Sequence, residues 1–170
     1  MLDSKISDCA GRLIKVYFNE RAKEINQEAN RITNKLNAEG NLSSSASLIF
    51  FHSLCERELE IRATIIWKNL VRAHKTYDPN ISSNLVNDFK LEFKKYIDPE
   101  KSKLTEFLKE KFRYSGAAEQ AIQRLNLNNI YSHIIDKHYI EIELYVETLS
   151  QHTNRNVALS NQYNFYGNIG

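Results

Sequence analysis

The chain is expected to be all-α: a long antiparallel helical hairpin with three or four additional packed helices and a non-helical, strand-like C-terminal tail. Three observations predict this. The 170 residues are 42% hydrophobic and 26% charged, within the globular range and enough for one domain with a single core. Only 5 Gly and 2 Pro punctuate them, too few to turn the many short strands of a sandwich or barrel. Elsewhere apolar residues recur in steps of three and four, the period of a helix buried on one face.

The first helix is expected from Ser4 to Glu39, with Asp3 or Ser4 accepting the first free backbone N–H groups. Ile6, Cys9, Leu13 and Val16 or Tyr17 begin its stripe, and Ala22, Ile25, Ala29, Ile32 and Leu36 continue it as a heptad seam. Gly40-Asn41 closes it, and Ser43 to Ser45 cap a second helix running to about Lys75. That helix carries Leu48, Phe51, Cys55, Leu59, Ile66, Leu70 and Ala73 on one face. A short turn leaves no chain for a crossover, so the pair must lie antiparallel. Folding the hairpin at this turn sets Glu20 opposite Arg62 and Glu24 opposite Glu58, the first pair an interhelical ion pair.

Tyr77-Asp78-Pro79-Asn80 breaks the pattern, and Leu85, Val86, Phe89, Phe93 and Tyr96 mark a shorter helix ending at Asp98-Pro99. Leu104, Phe107, Leu108 and Phe112 give a further helix, and Ala117 to Leu125 another after Ser115-Gly116. The last stripe runs through Leu127, Ile130, Ile134, Ile135, His138, Ile142, Tyr145 and Leu149. The domain is therefore placed at residues 1–152. Beyond it, residues 153–170 are rich in Asn, and Val157, Leu159, Tyr163 and Phe165 alternate with a period of two, as in a strand. A lone strand needs a partner for its backbone, which makes those four residues candidate partner-binding anchors. The ending at Gly167-Asn168-Ile169-Gly170 reads as a junction to further sequence.

Net charge is only +2, so affinity for nucleic acid or membranes has to come from a local patch. Two cysteines, Cys9 and Cys55, make neither a disulfide framework nor a thiolate metal site. No hydrophobic leader follows Met1, and no apolar run approaches the about 20 residues of a spanning helix. A reduced, cytoplasmic setting is the expectation.

Catalytic constellations fail one by one. A di-metal bundle site needs Glu-x-x-His pairs, and none of the 5 histidines has a Glu three residues before it. The arginine–spacer–histidine motif of HEPN-type helical ribonucleases is likewise missing before every histidine. Gly-rich phosphate loops, a nucleophile elbow and a dinucleotide fingerprint do not occur. Glu20 with Glu24, and His52 with Glu56 and Glu60, share helix faces, a pattern that is ordinarily a solvated face, since tight metal binding needs ligands converging from several helices. His138 falls close to an apolar stripe, as an interior hydrogen-bonded histidine would. No catalytic residue, metal or cofactor is therefore assigned.

The informative patch is acid-free from Ile61 to Tyr77, and Arg62, Lys68, Arg72 and Lys75 are its candidate polyanion-binding residues. Lys68, Arg72 and Lys75 occupy the face opposite Ile66, Leu70 and Ala73. The expectation is thus a non-enzymatic helical protein–protein interaction or assembly module, a homo-oligomer with a dimer favoured or a binder of another protein. The alternative is a nucleic-acid or polyanion-binding module using the second helix's basic face.

Overall fold

Asp3 opens the first helix as its N-cap, its carboxylate accepting from the Lys5 N–H at 2.8 Å. In the computed structural model, which describes residues 2–77, 82–114 and 125–166 and side chains of the last helix to Gln151, α1 spans Ser4–Ala38. It closes as a Schellman motif: Gly40 adopts φ 67°, its N–H reaches Asn37 O, and the Asn41 N–H reaches Leu36 O at 2.8 Å. Only a residue without Cβ enters that left-handed conformation without strain. Ser44 then caps α2 (Ser45–Tyr77), its hydroxyl accepting from the Ala46 N–H at 3.2 Å.

The two helices run antiparallel. Arg57 of α2 pairs with Glu28 of α1, Glu58 with Arg21, and Arg62 lies over the Phe18 ring. The third helix, α3 (Leu85–Tyr114), packs antiparallel to α2, with Phe51 edge-on to Phe112 at 6.2 Å and Trp67 edge-on to Phe89 at 5.7 Å. The fourth, α4 (Asn128–Tyr166), lies antiparallel to α3 and parallel to α2, with Phe93 stacked on His138 at 4.8 Å and His74 Nδ1 2.9 Å from the Tyr145 hydroxyl. Packing contacts join α1 to α2, α2 to α3, and α4 to both α2 and α3. The pair α2–α3 is therefore the spine, and α1 and α4 flank it. The fully buried Phe51, Phe89, Phe93 and Phe112 fill the centre.

All-α is the observed class, and three expectations about its parts change. Asp98-Pro99 does not end a helix: Pro99 lies inside α3. An interior proline costs about 3 kcal/mol. Burial of Phe93 and Ile97 before it and of Leu104, Leu108 and Phe112 after it outweighs that cost when the stripe stays in line. Two described helices, α3 and α4, thus pack on the hairpin where three or four were expected; residues 117–124 of the remaining candidate lie outside the described residues.

The tail is the second change. Helix α4 continues through Tyr166, so the segment from Thr153 is helical and not strand-like. Neither Gly nor Pro interrupts Asn128 to Tyr166, and a helix satisfies its own backbone groups where an unpaired strand leaves them open. Third, the inward stripe at the start of α1 is Ile6, Ala10 and Ile14, and Val16 and Tyr17 are exposed. Strict steps of four turn the buried face around the helix towards α3, where the Tyr96 hydroxyl approaches Ser7 O at 3.4 Å. Gly11 permits that approach, because a Cβ there would stand 2.7 Å from the Tyr96 oxygen.

Candidate functional site

Arg62 is not part of an exposed basic face: it is 6% exposed and lies at the centre of a buried ion network. Its Nε donates to Glu58 at 2.8 Å, its Nη1 to Glu100 of α3, and Glu58 also accepts from Arg21 of α1. Lys103 donates to Glu100 at 2.6 Å, and Glu24 accepts from Arg21. Three cations thus meet three carboxylates, with Glu58 1% and Glu100 3% exposed. Such a network has to be complete, since one uncompensated charge in that position costs several kcal/mol.

The expected hairpin register is off by two to three residues: Phe18, not Glu20, lies opposite Arg62, and Arg21, not Glu24, pairs across with Glu58. Arg21, not Glu20, faces α2, and Glu20 is exposed. One residue is 100° around a helix, enough to turn Glu20 to solvent. A signal for Arg62 was present: the seam Cys55, Leu59, Ile66 and Leu70 runs through position 62 at its regular step, so a charged residue there has to be buried with partners.

Lys68, Arg72 and Lys75 are exposed together on α2, with the Lys75 ammonium 5.7 Å from the centre of the Tyr145 ring. Lys68 also rims a groove of about 440 Å³ between α2 and α4, where Lys137 and His133 stand on the opposite wall and Glu60 is the lining carboxylate. Ile61, Ile65 and Ile134 supply apolar surface.

His138 lines the same groove and is the interior, hydrogen-bonded histidine its place on the stripe implied. It is 3% exposed, with Nδ1 2.9 Å from Ile134 O. Burial lowers its pKa below 6.5, against the opposing effect of that backbone bond. With the Nδ1 proton held by the carbonyl, the neutral ring keeps its lone pair on Nε2. His74, within the acid-free stretch, is buried completely, its ring edge-on to Phe89 and Tyr145. Burial raises the Tyr145 pKa to about 12, so its hydroxyl stays protonated, and it shares a hydrogen bond with His74 Nδ1 at 2.9 Å.

The acidic and histidine residues do not converge. His52 stands with Nδ1 3.4 Å from Glu56 and Nε2 3.2 Å from Asn126 O, at the start of α4, whereas Glu24 belongs to the α1 side of the network. Among the described residues no group of three or more His, Cys, Asp or Glu is arranged to hold a metal ion. Burial chiefly, with Glu58 nearby, raises the Cys55 thiol pKa to about 12 and leaves it a core residue. Val157, Leu159, Tyr163 and Phe165 fall on the helical continuation of α4, with side chains outside the described residues. No described helix is long and apolar enough to cross a membrane. Compared with protein-family models, curated proteins and solved structures, the chain matches none.

Proposed function

We propose that the chain is a non-enzymatic helical interaction module that self-associates through α4. One observation carries this reading: Ile140 and Leu144, one turn apart on α4, are 57% and 56% exposed while the opposite face of the same helix, at His138, Ile142 and Val146, is buried. A helix apolar on both faces has more surface to cover than its own bundle provides. A second copy presenting the same stripe is the simplest cover, since a two-fold axis makes one patch serve both sides.

Light scattering coupled to size exclusion tests it. The intact chain is expected to be dimeric at both low and high salt, and the Ile140→Glu/Leu144→Glu variant monomeric with unchanged helical content. A wild-type monomer at every concentration reached would end the proposal.

A polyanion-binding reading is carried by a separate observation. Lys68, Arg72 and Lys75 are exposed on one face of α2, and Lys137 extends the cationic surface across the groove. Neutralising three or four phosphates of a single strand gives a log–log salt slope of roughly −2 to −3. Anisotropy of a labelled single-stranded oligonucleotide should show that slope, and the triple variant Lys68→Glu/Arg72→Glu/Lys75→Glu should lose binding. No binding by the wild type at low salt excludes the reading.

A further inference from the structure

On the opposite flank of the spine, α1 and α3 line a second cleft of about 450 Å³, to which α2 contributes only Arg62. We propose that this cleft binds a small organic anion, a carboxylate or phosphate group carried on an apolar body. Its size falls within the range of small-molecule sites. Ile14 and Phe18 of α1 and Pro99 of α3 give it apolar walls.

Arg62 carries the argument. It is more than nine-tenths buried, yet it lines this cleft. Its hydrogen bonds leave from Nε to Glu58 and from Nη1 to Glu100, and its guanidinium carbon sits 5.4 Å from the centre of the Phe18 ring. A guanidinium has five N–H donors in a fixed fork. The two on Nη2 have no acceptor among the described residues, and the Arg62 side chain is part of the cleft lining. A planar fork with free donors beside the apolar Ile14, Phe18 and Pro99 walls suits an oxyanion better than it suits water, because bidentate oxygen acceptors match its geometry.

Charge bookkeeping points the same way. Arg21, Arg62 and Lys103 are matched by Glu24, Glu58 and Glu100, and Lys95 by Glu92. Lys15, which lines the cleft from α1, has no carboxylate within ion-pair distance among the described residues. The cleft is thus one cation in excess before any ligand arrives. A neutral ligand would leave both Lys15 and the Arg62 donors unanswered, and bare inorganic phosphate would leave the apolar walls wet.

The test is a titration of the intact ¹⁵N-labelled chain, followed by amide and arginine Nε–H shifts at low salt. Phenyl phosphate and benzoate are the probes, with inorganic phosphate and benzyl alcohol as partial mimics. Saturable shifts at Gly11, Asn19, Ala22 and the Arg62 Nε–H are expected with either aryl anion, about tenfold weaker binding with inorganic phosphate, and none with benzyl alcohol. Lys15→Gln should weaken phenyl phosphate about threefold. Ala22→Leu, at an exposed position on the cleft wall, should abolish binding while helical content is kept. Absence of saturable shifts at millimolar aryl anion, shifts confined to the α2–α4 groove, or wild-type binding by Ala22→Leu would each overturn the proposal. The oligomeric state does not enter, so this result and that of the light-scattering experiment are independent.

Discussion

Replacing Glu58 by Gln tests the buried network directly. Glu58 is 1% exposed and accepts from Arg21 Nε at 3.1 Å and from Arg62 Nε at 2.8 Å. Glutamine keeps one acceptor oxygen, turns the other position into an NH₂ donor facing guanidinium N–H groups, and leaves three cations against two carboxylates. Breaking a buried pair on one side costs about 3–5 kcal/mol. For a chain of this length that lowers the thermal midpoint by roughly 6–20 °C. The internal control is Glu28→Gln, because the Arg57–Glu28 pair leaves its side chains 55% and 41% exposed and is worth about 1 kcal/mol at most. Urea unfolding followed by circular dichroism gives both values. A cost for Glu58→Gln within about 1 kcal/mol of the control would refute the reasoning, showing that water screens the network. The triple exchange Glu58→Leu/Arg62→Met/Glu100→Leu should be near neutral or stabilising, since it removes the fully buried charges together and leaves Arg21 with Glu24 and Lys103 in solvent.

Three further outcomes follow from packing. Cys55, with burial holding its thiol up to about 12, should resist Ellman's reagent until the chain unfolds, so native protein should expose one reactive thiol, Cys9; rapid labelling of both would contradict the burial. His138 has a pKa lowered in the fold from 6.5, so the unfolded chain takes up the proton first: the stability this group contributes is complete above pH 6.5 and is lost as pH falls below it. His138→Phe keeps the stack on Phe93 and cannot protonate, so its urea midpoint should fall less than wild type between pH 7.5 and 5.5, and parallel falls would exclude this role. Gly11→Ala gains about 1 kcal/mol of helix propensity but drives the new Cβ against the Tyr96 oxygen. The gain should therefore appear in full only in a Tyr96→Phe background, and equal stabilisation in both backgrounds would mean that Tyr96 does not press on α1.

The stripe on α2 was legible almost residue by residue: Phe51, Cys55, Leu59, Ile66, Leu70 and Ala73 are buried, and Leu48 at its start is half-buried against the core. Legibility was high there because α2 is covered on two sides and its apolar face is broad. On α1, covered mainly by one partner, the period alone did not say which of two adjacent rows turned inward, and Ala10 with Ile14 took the place expected for Leu13 and Val16. Pro99 misled because local geometry argues for a break while the benefit of continuing lies in contacts far along the chain, Phe51 with Phe112 among them. The alternation from Val157 to Phe165 was equally local, and a period of two over a few residues does not outweigh the absence of any helix breaker between Asn128 and Tyr166. Lys68, Arg72 and Lys75 were placed on the solvent side correctly because they sit opposite a buried row.

Arg62 is the instructive exception, because the reason it is buried is written in three helices at once. In α2 the seam from Leu59 to Ile66 passes through Arg62. In α3 the row from Ile97 to Leu104 passes through Glu100, and in α1 the row from Ile14 to Ile25 passes by Phe18 and Arg21. Each gap alone resembles a stretch where the helix face meets solvent. Taken together they fall at one level of the bundle, and the charges in them are of opposite sign on facing helices. Sliding α1 by a turn would bring Arg21 against the apolar Leu54 level or against Arg62 and strand Glu58, a cost that hydrophobic rows of similar spacing do not impose. The network therefore discriminates among registers that the apolar stripes alone leave close in energy, in the way a polar residue at a coiled-coil seam does. It also explains why an arginine fork with spare donors is held against the cleft between α1 and α3. The carboxylates that fix the register leave Nη2 unused, and the Arg62 side chain is part of that cleft's lining.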